Sequence, residues 1–150
     1  MKFINEILYH DPDYKSLLND ITKERLPLAC TGLSLITKAA VIGSIARDTG
    51  KKAVIITHDE AAANELQNDL CSMGFNCLNF PLRDYCIGNL SGYSKEYEHK
   101  RTDTLSALAD GDFSLLTLSI DAAIQFTVPP EILNDSRFTL KLFCKSNGLL

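Results

Sequence analysis

Short, nearly continuous apolar runs alternate along this chain with stretches of helical periodicity. The runs are LPLACTGL, KKAVIIT, FNCLNF, FSLLTLSI and, near the end, FTLKLFC. Runs of this kind are typical of strands buried on both faces of a parallel sheet. Between them, apolar residues recur every three or four positions, which is the spacing of an amphipathic helix. The pattern predicts strands that alternate with helices.

Several of the predicted helices carry start and stop signals. Asp11 is a suitable N-cap, and Pro12 follows it at the first helical position, where a missing N–H costs nothing. Asp59 is expected to cap the helix DEAAANELQNDLCSM. Gly50 and Gly74 come directly after helical patterns, where glycine commonly ends a helix.

The order of elements predicts the architecture. Strands joined by helices form right-handed βαβ units, whose helices cover both faces of a parallel sheet. We therefore predict a three-layer α/β domain over residues 21–150, preceded by a helical segment at residues 1–20. Pro129-Pro130 is expected to stop the short helix DAAIQF.

Composition narrows the class of protein. The 150 residues are 45% hydrophobic and 23% charged, as in a single globular domain. No apolar run approaches the ~20 residues that span a bilayer, and the N-terminus lacks the pattern of a secretory signal. We expect a cytoplasmic chain without a membrane partner. The net charge of −4 argues against a domain that grips DNA by itself.

Cysteine and histidine residues give no metal or catalytic pattern. The five cysteines contain no C-x-x-C pair, so neither a zinc site nor a disulfide framework is predicted. We interpret them as reduced and mostly buried. The three histidines lack ligand spacing, and no nucleophile–base arrangement stands out. No catalytic residue and no metal site is predicted.

The stretch GLSLITKA is the candidate for phosphate chemistry. A P-loop reads G-x-x-x-x-G-K-[ST], because backbone N–H groups surround the phosphate, lysine supplies charge and a hydroxyl binds magnesium. Gly32 and Lys38 match this motif, whereas Thr37 replaces its second glycine and Ala39 its hydroxyl. The four residues predict either a degenerate nucleotide loop or an ordinary strand-to-helix turn.

Two expectations follow for the neighbourhood of this loop. If phosphate no longer binds, Leu35, Ile36 or both should pack inward and fill the vacated space. Asp59 and Asp121 follow apolar runs, where an ATPase could hold magnesium. We interpret both instead as caps of the helices that they open.

A second candidate surface is the stretch RDYCIGNLSGYSKEYEHKR. It combines basic and aromatic side chains, which can stack bases or bind a partner. The residues proposed for this surface are Arg83, Tyr85, Tyr93 and Arg101. The alternative is a long surface connection without a binding role.

The motifs, taken in order, resemble a known family. They are ACTGLSLITKAAVIGSIA, KKAVIITHDEAAANELQNDL, FPLRDY, SKEYEHKRTDTLSAL and FSLLTLSIDAAIQFTVPP. This succession resembles the N-terminal, UvrB-like region of bacterial transcription-repair coupling factors (Mfd). That region is similar to the first helicase-like domain of the excision-repair protein UvrB, with a decayed nucleotide loop. The resemblance covers about residues 15 to 130.

The resemblance implies a degenerate RecA/helicase-like P-loop domain without catalytic activity. Full-length members of the family are ATP-dependent DNA translocases that displace stalled RNA polymerase and recruit UvrA for nucleotide excision repair. ATP and magnesium would belong to motor domains downstream, so no cofactor is expected in this stretch. The implied partners are the rest of its own chain and, through the full-length protein, UvrA, RNA polymerase and DNA.

The resemblance also implies an N-terminal fragment, truncated at the C-terminal end of its α/β domain. The residues alone leave an alternative open, in which the chain is a small nucleotide-binding α/β enzyme with an atypical P-loop.

Overall fold

The computed structural model describes residues 7–83 and 95–138. In this part of the chain the helices are α1 (Pro12–Thr22), α2 (Leu35–Thr49), α3 (Glu60–Ser72), α4 (Lys95–Asp110), α5 (Ile120–Ala123) and α6 (Pro130–Ser136). The strands are β1 (Ala53–Thr57), β2 (Cys77–Phe80) and β3 (Leu115–Ser119). Residues 7–10 are also helical.

The three strands form one parallel sheet in the order β1-β3-β2. Leu115 of β3 lies opposite Ala53 on one side and Cys77 on the other. Strands and helices alternate from α2 to α5, and helices cover both faces of the sheet. The predicted parallel α/β architecture is confirmed, and it fits a RecA/helicase-like fold.

One predicted strand is wrong. The run LPLACTGL forms no strand in the described part of the chain, and almost all of it is exposed. Pro27 cannot donate a main-chain hydrogen bond to a sheet. Gly32 has a φ of 79°, which ends any extended run there. Leu28 and Leu33 instead line a cleft beside α1 and α2. Of the run FTLKLFC, only Phe138 lies among the described residues.

The first face of the sheet packs against α2 and α3. Their buried side chains form one core with β2 and β3, comprising Ala39, Ala46, Leu70, Cys77 and Leu115. Leu70 and Leu115 are completely buried. Burial of a leucine side chain stabilises a fold by about 1.5–3 kcal/mol. This core fixes the position of α2, and therefore of the candidate loop before it.

The second face packs against α4. Phe80, Leu116 and Leu118 are buried there together with Ala122 of α5. Partly buried apolar side chains of α4 and the turn after it complete the cluster, namely Leu105, Leu108 and Phe113.

The predicted caps are largely confirmed. The carboxylate of Asp11 accepts a hydrogen bond from the Asp13 N–H at 2.8 Å, and that of Asp59 accepts one from the Ala62 N–H at 2.7 Å. Gly50 ends α2 in the left-handed conformation, with a φ of 65°.

Two predictions about helix ends are wrong. Asp121 does not cap α5, because Ser119 occupies the cap position and its Oγ accepts the Ala122 N–H at 3.1 Å. Asp121 lies in the first turn. Pro130 does not stop a helix but begins α6, where its fixed φ suits the first helical position.

Helix α1 is tied to α2 by a polar cluster. The Asp48 carboxylate accepts hydrogen bonds from the hydroxyls of Tyr9 at 2.6 Å and Tyr14 at 2.7 Å, and from Arg47 Nε at 3.2 Å. Burial alone would raise the pKa of Asp48, but these hydrogen bonds outweigh it and lower the pKa. Of the segment predicted as helical over residues 1–20, the described residues 7–10 and 12–20 are helical, and α1 continues to Thr22.

The cysteines divide between core and surface. Cys77 is buried, whereas Cys30 and Cys71 are exposed, so the prediction of mostly buried cysteines is wrong among the described residues. Burial raises the pKa of the Cys77 thiol to about 12, which keeps it protonated at neutral pH.

Candidate functional site

The candidate phosphate loop lies beyond the carboxyl ends of the strands, where ligands of parallel α/β sheets usually bind. Helix α2 ends at Thr49, shortly before β1 begins at Ala53. Because α2 runs antiparallel to β1, its N-terminus lies at the carboxyl ends of the strands. The loop from Gly32 to Ser34 leads into α2 at this end of the strands.

A serine side chain caps the N-terminus of α2. Ser34 is the N-cap, and its Oγ accepts the Thr37 N–H at 3.3 Å. The hydroxyls of Ser34 and Thr37 lie 2.7 Å apart and share a hydrogen bond. The Lys38 N–H donates to the Ser34 carbonyl at 2.9 Å, as in a regular helix. The N–H of Thr37, which a P-loop would direct to phosphate, is thus already used.

The position that binds magnesium in a P-loop is buried here. Ala39 has no exposed surface and packs in the first core with Leu70 and Leu115. Lys38, the next residue toward the loop, is exposed and lines an apolar cleft of about 370 Å³ with Leu28. The two positions that supply charge and metal ligation in a P-loop therefore point to different environments.

The expected filling of the loop by Leu35 or Ile36 is wrong. Leu35 is 58% exposed and Ile36 is 54% exposed. Leu35 is one helical turn from Ala39 and shares its face of α2. Because the preceding apolar run is not a strand, no strand among the described residues covers the first turn of α2.

Arg101 does not belong to an exposed binding surface, contrary to the prediction. It is buried, its Nη1 donates to the Pro81 carbonyl at 2.7 Å, and its guanidinium stacks over the Phe80 ring at 3.9 Å. A planar guanidinium suits this combination of stacking and hydrogen bonding. Arg101 therefore holds the end of β2 against α4.

Arg83 remains at the surface. Its main chain is fixed by Gln125, which accepts the Arg83 N–H at 2.9 Å and donates to its carbonyl at 3.1 Å. Its guanidinium lies 3.5 Å from the Glu98 carboxylate and is half-exposed. Tyr85 and Tyr93, the other residues predicted for this surface, lie outside the described residues.

No group of three or more His, Cys, Asp or Glu side chains among the described residues could hold a metal ion. No described helix is both long and apolar enough to cross a membrane.

Sequence reasoning missed Ser34, the residue that organises the loop. The available signal was a serine three residues before Thr37, at the start of a helical pattern, which is the usual place of an N-cap. The P-loop motif instead points to Gly32 and Lys38, the two positions that match it.

Comparison with known proteins identifies one family of relatives. No family model and no solved structure matches the chain. The chain is 22% identical over 144 residues to the transcription-repair-coupling factor of Bacillus subtilis, covering 95% of this chain and 12% of that protein. It is 25% identical over 114 residues to those of Staphylococcus epidermidis and Staphylococcus aureus, covering 75% of this chain and 10% of each.

The predicted resemblance to transcription-repair coupling factors is therefore confirmed. The chain spans about a tenth of the length of the curated relatives that it matches.

Proposed function

We propose that this chain is a non-catalytic N-terminal domain of a transcription-repair coupling factor. Its degenerate helicase-like fold serves as a scaffold that docks on the rest of a longer polypeptide. The family of its relatives supports the context, and the chemistry of the candidate loop supports the absence of catalysis.

The observation that carries the proposal is the first turn of α2. A working P-loop needs free N–H groups, a lysine and a metal-binding hydroxyl around one phosphate. Here the Ser34 hydroxyl accepts the hydrogen bond of the Thr37 N–H, and Ala39, which has no hydroxyl, lies in the core. Gly32 and Lys38 retain the residue types of the motif, and both are exposed.

The proposal assigns the remaining activities to the whole protein. ATP and magnesium would bind in motor domains outside this stretch, and so would the DNA on which the protein moves. RNA polymerase and UvrA would be partners of the full-length protein in the cytoplasm. The direct partner of this domain would be the rest of its own chain.

A melting experiment separates this proposal from the alternative of a nucleotide-binding enzyme. The chain is melted with and without millimolar ATP and magnesium, with magnesium alone as the control. A ligand at 100 times its Kd would add about 2.7 kcal/mol of stability. We expect no change in Tm. A rise of several degrees in wild type that is lost in Lys38→Ala would establish a working phosphate loop and refute the proposal.

A further inference from the structure

Helix α3 ends in a reversal of the chain that brings β2 back beside the last turn of the helix. The Gly74 N–H donates to the Cys71 carbonyl at 2.9 Å. The Phe75 N–H donates to the Leu70 carbonyl at 3.1 Å. Together with Gly74, which has a φ of 86°, these bonds form a Schellman motif, a common helix ending. The chain therefore turns back at once, and β2 begins at Cys77.

Packing against α2 holds this reversal in place. Gly43 of α2 lies so close to the Phe75 ring that a Cβ atom at position 43 would overlap the ring. Met73 and Phe75, on either side of Gly74, also pack against the first core. The segment between the two cysteines therefore has a defined course, and it places Cys71 and Cys77 side by side.

The two thiols lie at the same place on β2. Cys71 Sγ is 3.6 Å from the carbonyl oxygen of Cys77. This sulfur and this oxygen are each two bonds from their Cα atoms, so the Cα atoms are at most about 9 Å apart. A disulfide needs a Cα separation of about 4.4–6.8 Å. At most a small shift of the turn around Gly74, with rotation of the side chains, therefore lets the two sulfur atoms bond.

Cys71 and Cys77 differ in their exposure and in the state of their thiols. Cys71 is exposed, whereas Cys77 is 5% exposed in the first core. Burial chiefly, and the charge of the nearby Cys71 in addition, raise the pKa of the Cys77 thiol to about 12. The thiolate, not the thiol, is the form of cysteine that attacks an oxidant. Peroxide would therefore oxidise Cys71 first, while Cys77 stays a protonated thiol beside it.

We infer that Cys71 and Cys77 are a peroxide-sensitive pair that forms a reversible disulfide between the end of α3 and the start of β2. The Cys71 thiolate attacks hydrogen peroxide, whose O–O bond breaks, and gives a sulfenic acid and hydroxide. The Cys77 sulfur then attacks the Cys71 sulfur. An S–S bond forms, the S–O bond breaks, and the hydroxyl group leaves with the Cys77 proton as water. One peroxide is reduced and two thiols are oxidised. The inference does not depend on the proposed function.

Proximity favours the second step although Cys77 is protonated. Cys77 is held in the sheet, where it lies opposite Leu115 of β3, so its sulfur stays next to Cys71. Groups held together in this way react as if each were present at very high concentration. Further oxidation of the sulfenic acid needs a second encounter with peroxide. When peroxide is limited to one equivalent, the disulfide should therefore be the main product.

Tryptic digestion and mass spectrometry of the intact chain test the inference. Cleavage after lysine and arginine leaves Cys71 and Cys77 together in the peptide of residues 53–83, whereas each other cysteine falls in a different peptide. The folded chain is treated with one equivalent of hydrogen peroxide, then unfolded and alkylated with iodoacetamide. Peptide 53–83 should be about 2 Da lighter than its reduced form and carry no alkyl group. Dithiothreitol should restore both alkylation sites.

Variants identify the role of each thiol. In Cys71→Ser, Cys77 should still take iodoacetamide after the same treatment, because burial protects it from peroxide. In Cys77→Ala, Cys71 should stop at a sulfenic acid, which dimedone traps. Cys30→Ser is the matched control, because it removes another exposed thiol and should leave the disulfide of peptide 53–83 unchanged. Circular dichroism checks the folding of each variant, and Cys71→Ser, changed at an exposed position, decides the test if Cys77→Ala does not fold.

Three results would overturn the inference. One is a wild-type chain in which Cys77 still takes iodoacetamide after peroxide treatment, whether or not Cys71 is oxidised. Another is a disulfide that joins peptide 53–83 to a different peptide. The third is oxidation of Cys77 in Cys71→Ser at the wild-type rate. None of these measurements involves nucleotide, so failure of this inference would leave the proposed function standing.

Discussion

Ala39 is the clearest support for the proposal that the loop binds no phosphate. The P-loop alignment detects the missing hydroxyl and the replaced glycine, since both are properties of single positions. It cannot detect that Ala39 points into the core, because that orientation depends on how α2 packs against α3 and the sheet. The same dependence explains why Leu35 and Ile36 were wrongly expected to be buried.

Restoring a hydroxyl at position 39 should therefore damage the fold. Ala39→Thr adds two heavy atoms and a polar group to a completely buried site, which typically costs about 1–3 kcal/mol. Lys38→Ala, the adjacent exposed control, should stay within about 0.5 kcal/mol. Urea denaturation gives both values. An unchanged stability of Ala39→Thr together with a strongly destabilised Lys38→Ala would contradict this prediction, because Lys38 and not Ala39 would then stabilise the start of α2.

At the scale of elements, the caps Asp11 and Asp59 were predicted correctly, whereas the Asp121 cap and the first strand were not. A cap depends on one side chain and the nearest N–H groups, so Asp11 and Asp59 can be recognised locally. A strand needs a neighbour to pair with, and the run LPLACTGL has none in the described structure. The contact of α1 with α2 was also missed, because Tyr14 and Asp48 are far apart in sequence.

The cluster around Asp48 predicts how stability depends on pH. The pKa of Asp48 is lowered by folding, so its contribution is present above the unfolded pKa of about 3.9 and is lost as pH falls through the folded value. Burial and the hydrogen bond to Asp48 raise the pKa of Tyr14. Its contribution is present below about pH 10 and is lost as pH rises through the raised value.

Two variants separate the acid dependence of Tm from its alkaline dependence. Asp48→Asn should lower Tm at neutral pH and weaken the dependence at both extremes. Tyr14→Phe should remove part of the alkaline dependence and leave most of the acid dependence. Acid and alkaline curves of Asp48→Asn that parallel those of wild type would show that the cluster contributes nothing to the docking of α1.

For the whole molecule, the sequence predicted the class of fold and the family that the chain resembles, but not which strands lie at the edges of the sheet. Strand and helix periods suffice for a parallel α/β domain, and the order of motifs suffices for the resemblance to coupling factors. The position of β1 at the edge of the described sheet could not be predicted, because an apolar run such as AVIIT looks the same in the interior and at the edge of a sheet. Arg101 was misplaced for a similar reason, since its burial depends on the end of β2.

The central claim is that the whole packing of α2, and not only two missing side chains, excludes nucleotide. Equilibrium dialysis against radiolabelled ATP with magnesium tests it directly, using wild type and the double variant Thr37→Gly/Ala39→Thr, with folding checked by circular dichroism. We predict that neither retains ATP above the level of a protein-free chamber, because residue 39 would still face the core. Saturable ATP retention by the folded double variant, or by wild type, would contradict the account.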